Sequence, residues 1–295
     1  MSFAGDVKTE LCRAGLNRKC CVQAEAYGVL LYCNTYSSGE IRIITENDAF
    51  AQRLPQLFRK AFHLTFDRLP GPEGKHIFVI SNRDKLRTVA QTFGGDAGNL
   101  ALHVNYAVLE ENCCRAAFLR GAFLAGGSVT DPQKSYHLEL STSHMSVSRE
   151  MVALMRELDL EPKDAQRKGN SVIYFKQSDR IEDFLTTIGA PLAAMEVMNT
   201  KLEKNLRGSV NRRVNCDAAN MDKVVEAAMA QVEAIRRLEE SGRLATLPDK
   251  LKESAKLRME HPTDTLSQLA QLFDPPVSKS ALNHRLRKLV ELGKE

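Results

Sequence analysis

One stretch of this chain occurs twice. A Cys-Cys dyad opens a run of apolar and small residues at Cys20 and again at Cys113, an offset of 93 residues. The two segments superpose without a gap: CCVQAEAYGVLLYCNTY lies on CCRAAFLRGAFLAGGSV, with Ala24 over Ala117 and Gly28 over Gly121. Neither has a polar face wide enough for a surface helix, so both read as buried helices. A glycine inside a helix costs about 1 kcal/mol relative to alanine, so its recurrence at matched places calls for close helix-to-helix packing through Gly28 and Gly121. The flanks repeat as well. EIRIIT and HLELST alternate like strands, a helical stretch near 48–62 answers one near 146–158, HIFVIS and SVIYFK add a strand to each half, and closing helices fall at 83–93 and 179–188. A period this long is not a solenoid's. It specifies a duplicated α/β module whose halves, residues 1–105 and 106–195, pack about a pseudo-twofold axis.

The second copy, LRGAFLAGG from Leu119 to Gly127, resembles the LAGLIDADG motif of homing endonucleases, and AYGVLLYCN from Ala26 to Asn34 resembles a weaker copy. The resemblance covers roughly residues 15–190 and implies two motif helices side by side at the centre of a saddle of sheets. In that family the penultimate acid of each motif binds the divalent metals that cut DNA. Here those positions hold Cys33 and Gly126. Magnesium requires hard oxygen ligands, and two-metal cleavage relies on carboxylates to hold the ions. Asp131 and Glu40 are nearby acids, but both fall beyond the motif in a turn or strand start. No catalytic residue, cofactor or small-molecule substrate is therefore expected, and a homing-type endonuclease is the weaker alternative.

The seven cysteines, at 12, 20, 21, 33, 113, 114 and 216, contain no C-x-x-C, the spacing that lets two thiolates of one segment reach one tetrahedral ion. Their odd number and apolar neighbours predict reduced, mostly buried thiols and no metal. The start, MSFAGDVKTELCRAG, lacks the basic-then-apolar order of a secretory signal, and no apolar run approaches a membrane span, which places the chain in the cytoplasm.

The formal charge of +4 becomes informative once it is located. Residues 1–198 hold 23 Lys and Arg against 23 Asp and Glu, whereas residues 199–295 hold 18 against 14. A neutral body thus carries a basic, phosphate-seeking tail. The passage between them falls between about 190 and 205, marked by Pro191 and the amides near Asn199 and Asn205, so the tail is placed at 196–295. KLEKNLRGSVNRR, Lys201–Arg213, holds five basic residues including Arg212 and Arg213; it reads equally as a solvated helix surface or as a phosphate-tracking segment.

Residues 221–240 form an amphipathic helix with Val224, Val225, Ala228, Val232, Ile235 and Leu238 near one stripe, followed by a helix after Pro248 that stops at His261-Pro262. A short helix, TLSQLAQLF, capped by Asp264, then leads through DPPV to a second helix capped by Ser278, giving a helix-turn-helix at about 264–291. Leu266, Leu269, Ala270 and Leu272 form the first helix's buried side, and Leu282, Leu286 and Leu289 the second's. A step of about 100° per residue then puts Ser280, His284 and Arg287 on the opposite face. Asn283 and Lys288 lie at its margins, with Lys279 and Arg285 towards its flanks. Arg and Asn suit base edges in the major groove, while Lys, Ser and the helix start suit phosphates.

A degenerate LAGLIDADG repeat followed by a helix-turn-helix resembles the WhiA family of bacterial regulators. NRRVNCDAAN, Asn211–Asn220, and PPVSKSALNHRLRKL, Pro275–Leu289, carry that resemblance, which covers nearly the whole chain. It implies an α+β fold with a pseudo-twofold saddle and an all-α DNA-binding domain. It further implies a nucleoid-associated regulator of developmental or division genes, with double-stranded DNA as partner and a sigma factor of RNA polymerase as a candidate protein partner. The residues themselves support only a non-catalytic body joined to a DNA-binding domain, which leaves room for a cell-division adaptor with weak DNA binding.

Overall fold

The computed structural model describes residues 2–71, 74–95 and 102–294. They form two compact units, Met1–Lys204 and Asn205–Glu295.

The first unit begins with a helix the sequence reading did not anticipate, α1 (Phe3–Leu11), which Ser2 caps and which buries Val7 and Leu11. Then come α2 (Lys19–Tyr32), β1 (Thr35–Tyr36), β2 (Ile41–Thr45), α3 (Asp48–Phe62), β3 (His76–Ile80) and α4 (Arg83–Thr92). The second half follows the same order: α5 (Asn112–Gly126), β4 (Gly127–Val129), β5 (Leu138–Thr142), α6 (Met145–Glu157), β6 (Lys163–Arg167), β7 (Asn170–Phe175) and α7 (Ser178–Ile188). Every strand and helix of the expected repeat is present. The strands form two antiparallel sheets, β1-β2-β3 and β4-β5-β7-β6. The fourth strand, β6, has as its counterpart among the described residues of the first half a single bridge, Arg68 to Val79.

At the centre, α2 and α5 pack face to face, and their registers mirror one another. A Cβ at Gly28 would overlap the Phe118 carbonyl oxygen, and a Cβ at Gly121 would overlap the Glu25 carbonyl oxygen. Glu25 and Phe118 are themselves 93 residues apart, so the two close approaches are images of each other under the repeat. Here glycine is required by backbone proximity rather than by dihedral angle. Ten of the fourteen residues of α2 are buried, and one continuous hydrophobic core joins both halves.

A charged network crosses the same seam. Buried Glu25 accepts from Arg53 Nε at 2.6 Å and Nη2 at 2.9 Å, and from Arg120 Nε of the other half at 3.0 Å. Arg53 also donates to the Cys12 and Ala14 carbonyls, and Arg120 to that of Ile188. A buried carboxylate is tolerable only when paired this completely.

No helix break marks the passage to the tail. From Pro191, α8 runs unbroken to Glu240. Proline at a first helical position loses no bond the helix would make, and the Glu10 carboxylate of α1 caps the start by accepting from the Leu192 and Ala193 amides. Val224 and Val225 of the expected apolar stripe are 45% and 51% exposed, and burial in the second unit begins at Ala228 and continues through Ile235 and Leu238.

The rest of the second unit is α9 (Asp249–Glu260), α10 (Leu266–Gln271) and α11 (Lys279–Leu292). With the end of α8 they enclose their own core of Ile235, Leu238, Leu251, Ala255, Leu269, Phe273, Leu282, Leu286 and Leu289.

Candidate nucleic-acid interface

The turn between α9 and α10 is organised by a residue that sequence pattern did not disclose. Arg258 is 2% exposed, and its Nη1 donates to the Asp264 carbonyl at 2.8 Å and, more weakly, to those of His261 and Pro262. A buried guanidinium gathering three carbonyls fixes the entry into α10. The cap of α10 is Thr265 rather than Asp264, because Thr265 and Gln268 form a reciprocal capping box with each other's backbone. Leu269 and Ala270 are buried as expected. Leu272 is 46% exposed, and Phe273 takes the core position in its place, since α10 ends at Gln271 and the chain turns there.

Ser278 caps α11, its Oγ accepting from the Ala281 amide at 3.2 Å, and Leu282, Leu286 and Leu289 are buried. That stripe fixes the helix rotation and leaves Lys279, Ser280, Asn283, His284, Arg287 and Lys288 exposed. Arg285 is half-buried, its guanidinium 5.5 Å from the centre of the Phe273 ring, so it packs on the turn as well as bearing charge. Among the described residues no ion pair engages Lys279, Arg285, Arg287 or Lys288. The basic face of α11 is thus rigidly backed and electrostatically unspent.

The segment Lys201–Arg213 divides. Lys201 pairs with Asp179 and Glu182, and Lys204 donates to the Pro132 carbonyl and lies over the Tyr136 ring, so both hold α8 to the body. Arg207, Arg212 and Arg213 are exposed on α8.

The positions of the lost metal acids lie at the C-terminal ends of α2 and α5. The Cys33 thiol donates to the Leu30 and Thr35 carbonyls, both at 3.1 Å, and burial pushes its pKa up to about 12, so it is a neutral thiol. At Gly126 even a Cβ would stand 2.7 Å from the Ser141 carbonyl oxygen and 3.0 Å from that of Tyr32, which leaves no room for an aspartate. A cavity of about 810 Å³ opens beside them, lined by Lys8, Asn34, Glu46, Asp48, Ala125 and Ser128. Its acids are engaged, Glu46 with Lys75 and Asp48 with His76, while burial lowers the Lys8 pKa to about 8. Asp131 caps its own turn through the Gln133 amide, and Glu40 pairs with Arg42.

The thiols are not mostly buried: of the seven, Cys114 alone is, and Cys20 and Cys216 are exposed. The dyads fall at helix starts and Cys216 on the exposed stretch of α8, places that apolar sequence neighbours did not reveal. Cys20, Cys21, Cys113 and Cys114 converge and could hold a metal ion.

A two-helix LAGLIDADG-like body joined to a helix-turn-helix unit places the chain among the helix-turn-helix proteins that carry a LAGLIDADG-like domain. The family model for the WhiA LAGLIDADG-like domain matches residues 115–207, and that for the WhiA C-terminal HTH domain matches residues 210–293. The probable cell division protein WhiA of Ruminiclostridium cellulolyticum is 38% identical over 99% of this chain and 97% of its own length. That of Alkaliphilus metalliredigens is 35% identical over 99% and 98%. The chain belongs to the WhiA family. The full-length DUF199/WhiA of Thermatoga maritima shares its fold, with a TM-score of 0.62 at 21% identity over 100% of this chain and 98% of that one. No helix among the described residues is long and apolar enough to cross a membrane.

Proposed function

We propose that this chain is a DNA-binding transcriptional regulator of division, chromosome-segregation or developmental genes, acting at the nucleoid in the cytoplasm, whose body has lost nuclease activity. The observation that carries the reading is the face of α11, where cations that pair with no acid among the described residues surround exposed Ser280, Asn283 and His284 above a buried leucine stripe. In a helix-turn-helix the second helix enters the major groove with its N-terminal residues on base edges. Arg287 and Asn283 are assigned to base edges, with His284 and Ser280 beside them. Ser278, Lys279, Arg285 and Lys288 are assigned to backbone contacts, with Arg212 and Arg213 on the approach along α8. Relatives that carry the cell-division name support the biological setting, with double-stranded DNA as the partner and a sigma factor of RNA polymerase as a candidate protein partner.

The loss of cleavage rests on the sealed ends of α2 and α5, where a neutral thiol and a glycine with no room for a side chain stand in place of two carboxylates. Footprinting the full chain on its own genomic DNA, beside a chain ending at Lys204, tests both points. The full chain should protect discrete sites with affinity that falls steeply as salt rises. The shortened chain should lose that protection, and neither should nick DNA with magnesium or manganese. Equal protection by the shortened chain would overturn the assignment of binding to the tail, and cleavage abolished by changing a carboxylate such as Asp131 would overturn the loss of chemistry.

A further inference from the structure

The cysteine dyads lie outside the proposed function. Cys20 and Cys21 stand in the first turn of α2 and Cys113 and Cys114 in the first turn of α5, and their four sulfur atoms all lie within 4.8 Å of one another. Cys20 of the first dyad answers Cys113 of the second, and Cys21 answers Cys114. Under the offset of 93 residues each dyad is the image of the other. A tetrahedron has twofold axes that exchange its corners in pairs, so one tetrahedral ion on the pseudo-twofold axis would meet both dyads equivalently.

We propose that these four cysteines bind a single zinc ion that ties the N-terminal ends of the two central helices together. Zinc–sulfur bonds of about 2.3 Å set tetrahedral thiolates about 3.8 Å apart. The Cys20 and Cys21 sulfurs are already 4.0 Å apart, so closure onto an ion takes small rotations. Four sulfurs in tetrahedral array select zinc or iron. A polynuclear iron–sulfur cluster spreads its thiolates over separate iron atoms and needs wider spacing than a group confined to 4.8 Å.

The surroundings favour the charge such a site carries. Neither α2 nor α5 has a capping side chain, so the positive ends of two helix dipoles meet at the dyads. The Arg18 guanidinium lies 3.8 Å from the Cys113 sulfur. A zinc tetrathiolate bears a net charge of −2, which these three features complement. Binding displaces the remaining thiol protons to solvent and moves no electrons. Exposed Cys20 gives the ion a way in.

This is not the ancestral nuclease site, which lies at the other ends of the helices, about 20 Å away at 1.5 Å of rise per residue. Nor could spacing along one segment disclose it, because each dyad supplies only half the ligands. The expectation of no metal came from reading each half alone.

The test uses the untagged full-length chain, purified with reductant under nitrogen, its metals counted by mass spectrometry and then exchanged for cobalt. The expected result is about one zinc per chain and the visible bands of tetrahedral cobalt tetrathiolate. Cys20→Ser and Cys113→Ser should each weaken binding by more than the roughly 10- to 100-fold that loss of a supporting group costs, while Cys216→Ser leaves it unchanged. Should either variant fail to fold, the wild-type cobalt spectrum still decides. Metal-free protein that develops no tetrathiolate bands would overturn the proposal, as would a disulfide between the dyads in protein kept reduced.

Discussion

The α2–α5 seam and the exposed face of α11 are opposite uses of a helix. In the seam, sequence specificity has gone into closure: backbone meets backbone at Gly28 and Gly121, Glu25 is locked between two arginines, and Cys33 and Gly126 stand where an endonuclease would present acids. On α11 three leucines are fully committed to packing, Arg285 lies over the Phe273 ring, and among the described residues Lys279, Arg287 and Lys288 face solvent without ion-pair partners. The contrast teaches that the most recognisable motif in a chain need not be where its chemistry now lies. The LAGLIDADG-like helices keep a close central packing and carry a thiol and a glycine rather than carboxylates at the motif's two acid positions, whereas a helix with no distinctive motif presents an open, charged surface of the kind binding requires.

Substitutions should separate the two regions by what they change. The largest effect is expected at Glu25. Glu25→Ala leaves Arg53 and Arg120 buried without their carboxylate and should cost about 3–5 kcal/mol, measured by urea unfolding of the first unit's signal. Glu25→Gln should cost less, because the amide oxygen still accepts a hydrogen bond; equal and small losses would show that the network is not what holds the halves.

Gly121→Ala drives a methyl onto the Glu25 carbonyl and should cost about 3 kcal/mol, the upper end of the usual overpacking penalty. Unfolding midpoints unchanged from wild type would mean the seam opens readily, and the mirrored register would lose its structural meaning. Ser278→Ala removes the cap of α11 and should cost about 1 kcal/mol in the second unit, with a further modest loss of DNA affinity, alike on all sequences, where the helix remains folded. A much larger loss would show that the helix is held by its start rather than by its leucine stripe.

How much of this was legible in sequence follows the physical signal each element carries. α3 and α6 were placed within a residue or so because their apolar spacing is strong, and Gly28 with Gly121 announced the close approach through its cost elsewhere. β6, KDAQR, was missed because it is an edge strand with almost no burial and so shows no alternation. The unbroken length of α8 is not legible because Pro191 marks a helix start as readily as a stop, and the cap from Glu10 lies some 180 residues away in sequence. The face of α11 was readable because one leucine stripe fixes all other positions. The roles of Arg258, Lys8 and the converging dyads were not, since each depends on partners that only tertiary structure supplies.

The most direct test of the account compares Arg287→Ala and Lys279→Ala on the preferred site and on random DNA across a salt series. Arg287→Ala should remove about 1–3 kcal/mol from binding the preferred site and much less from random sequence. Lys279→Ala should weaken both by a similar factor and lower the salt slope by about one. Neither touches Leu282, Leu286 or Leu289, so thermal stability should hold. Equal losses from both substitutions on specific and random DNA would contradict the account: α11 would then only attract phosphate, and the chain would be better read as an adaptor with weak DNA binding.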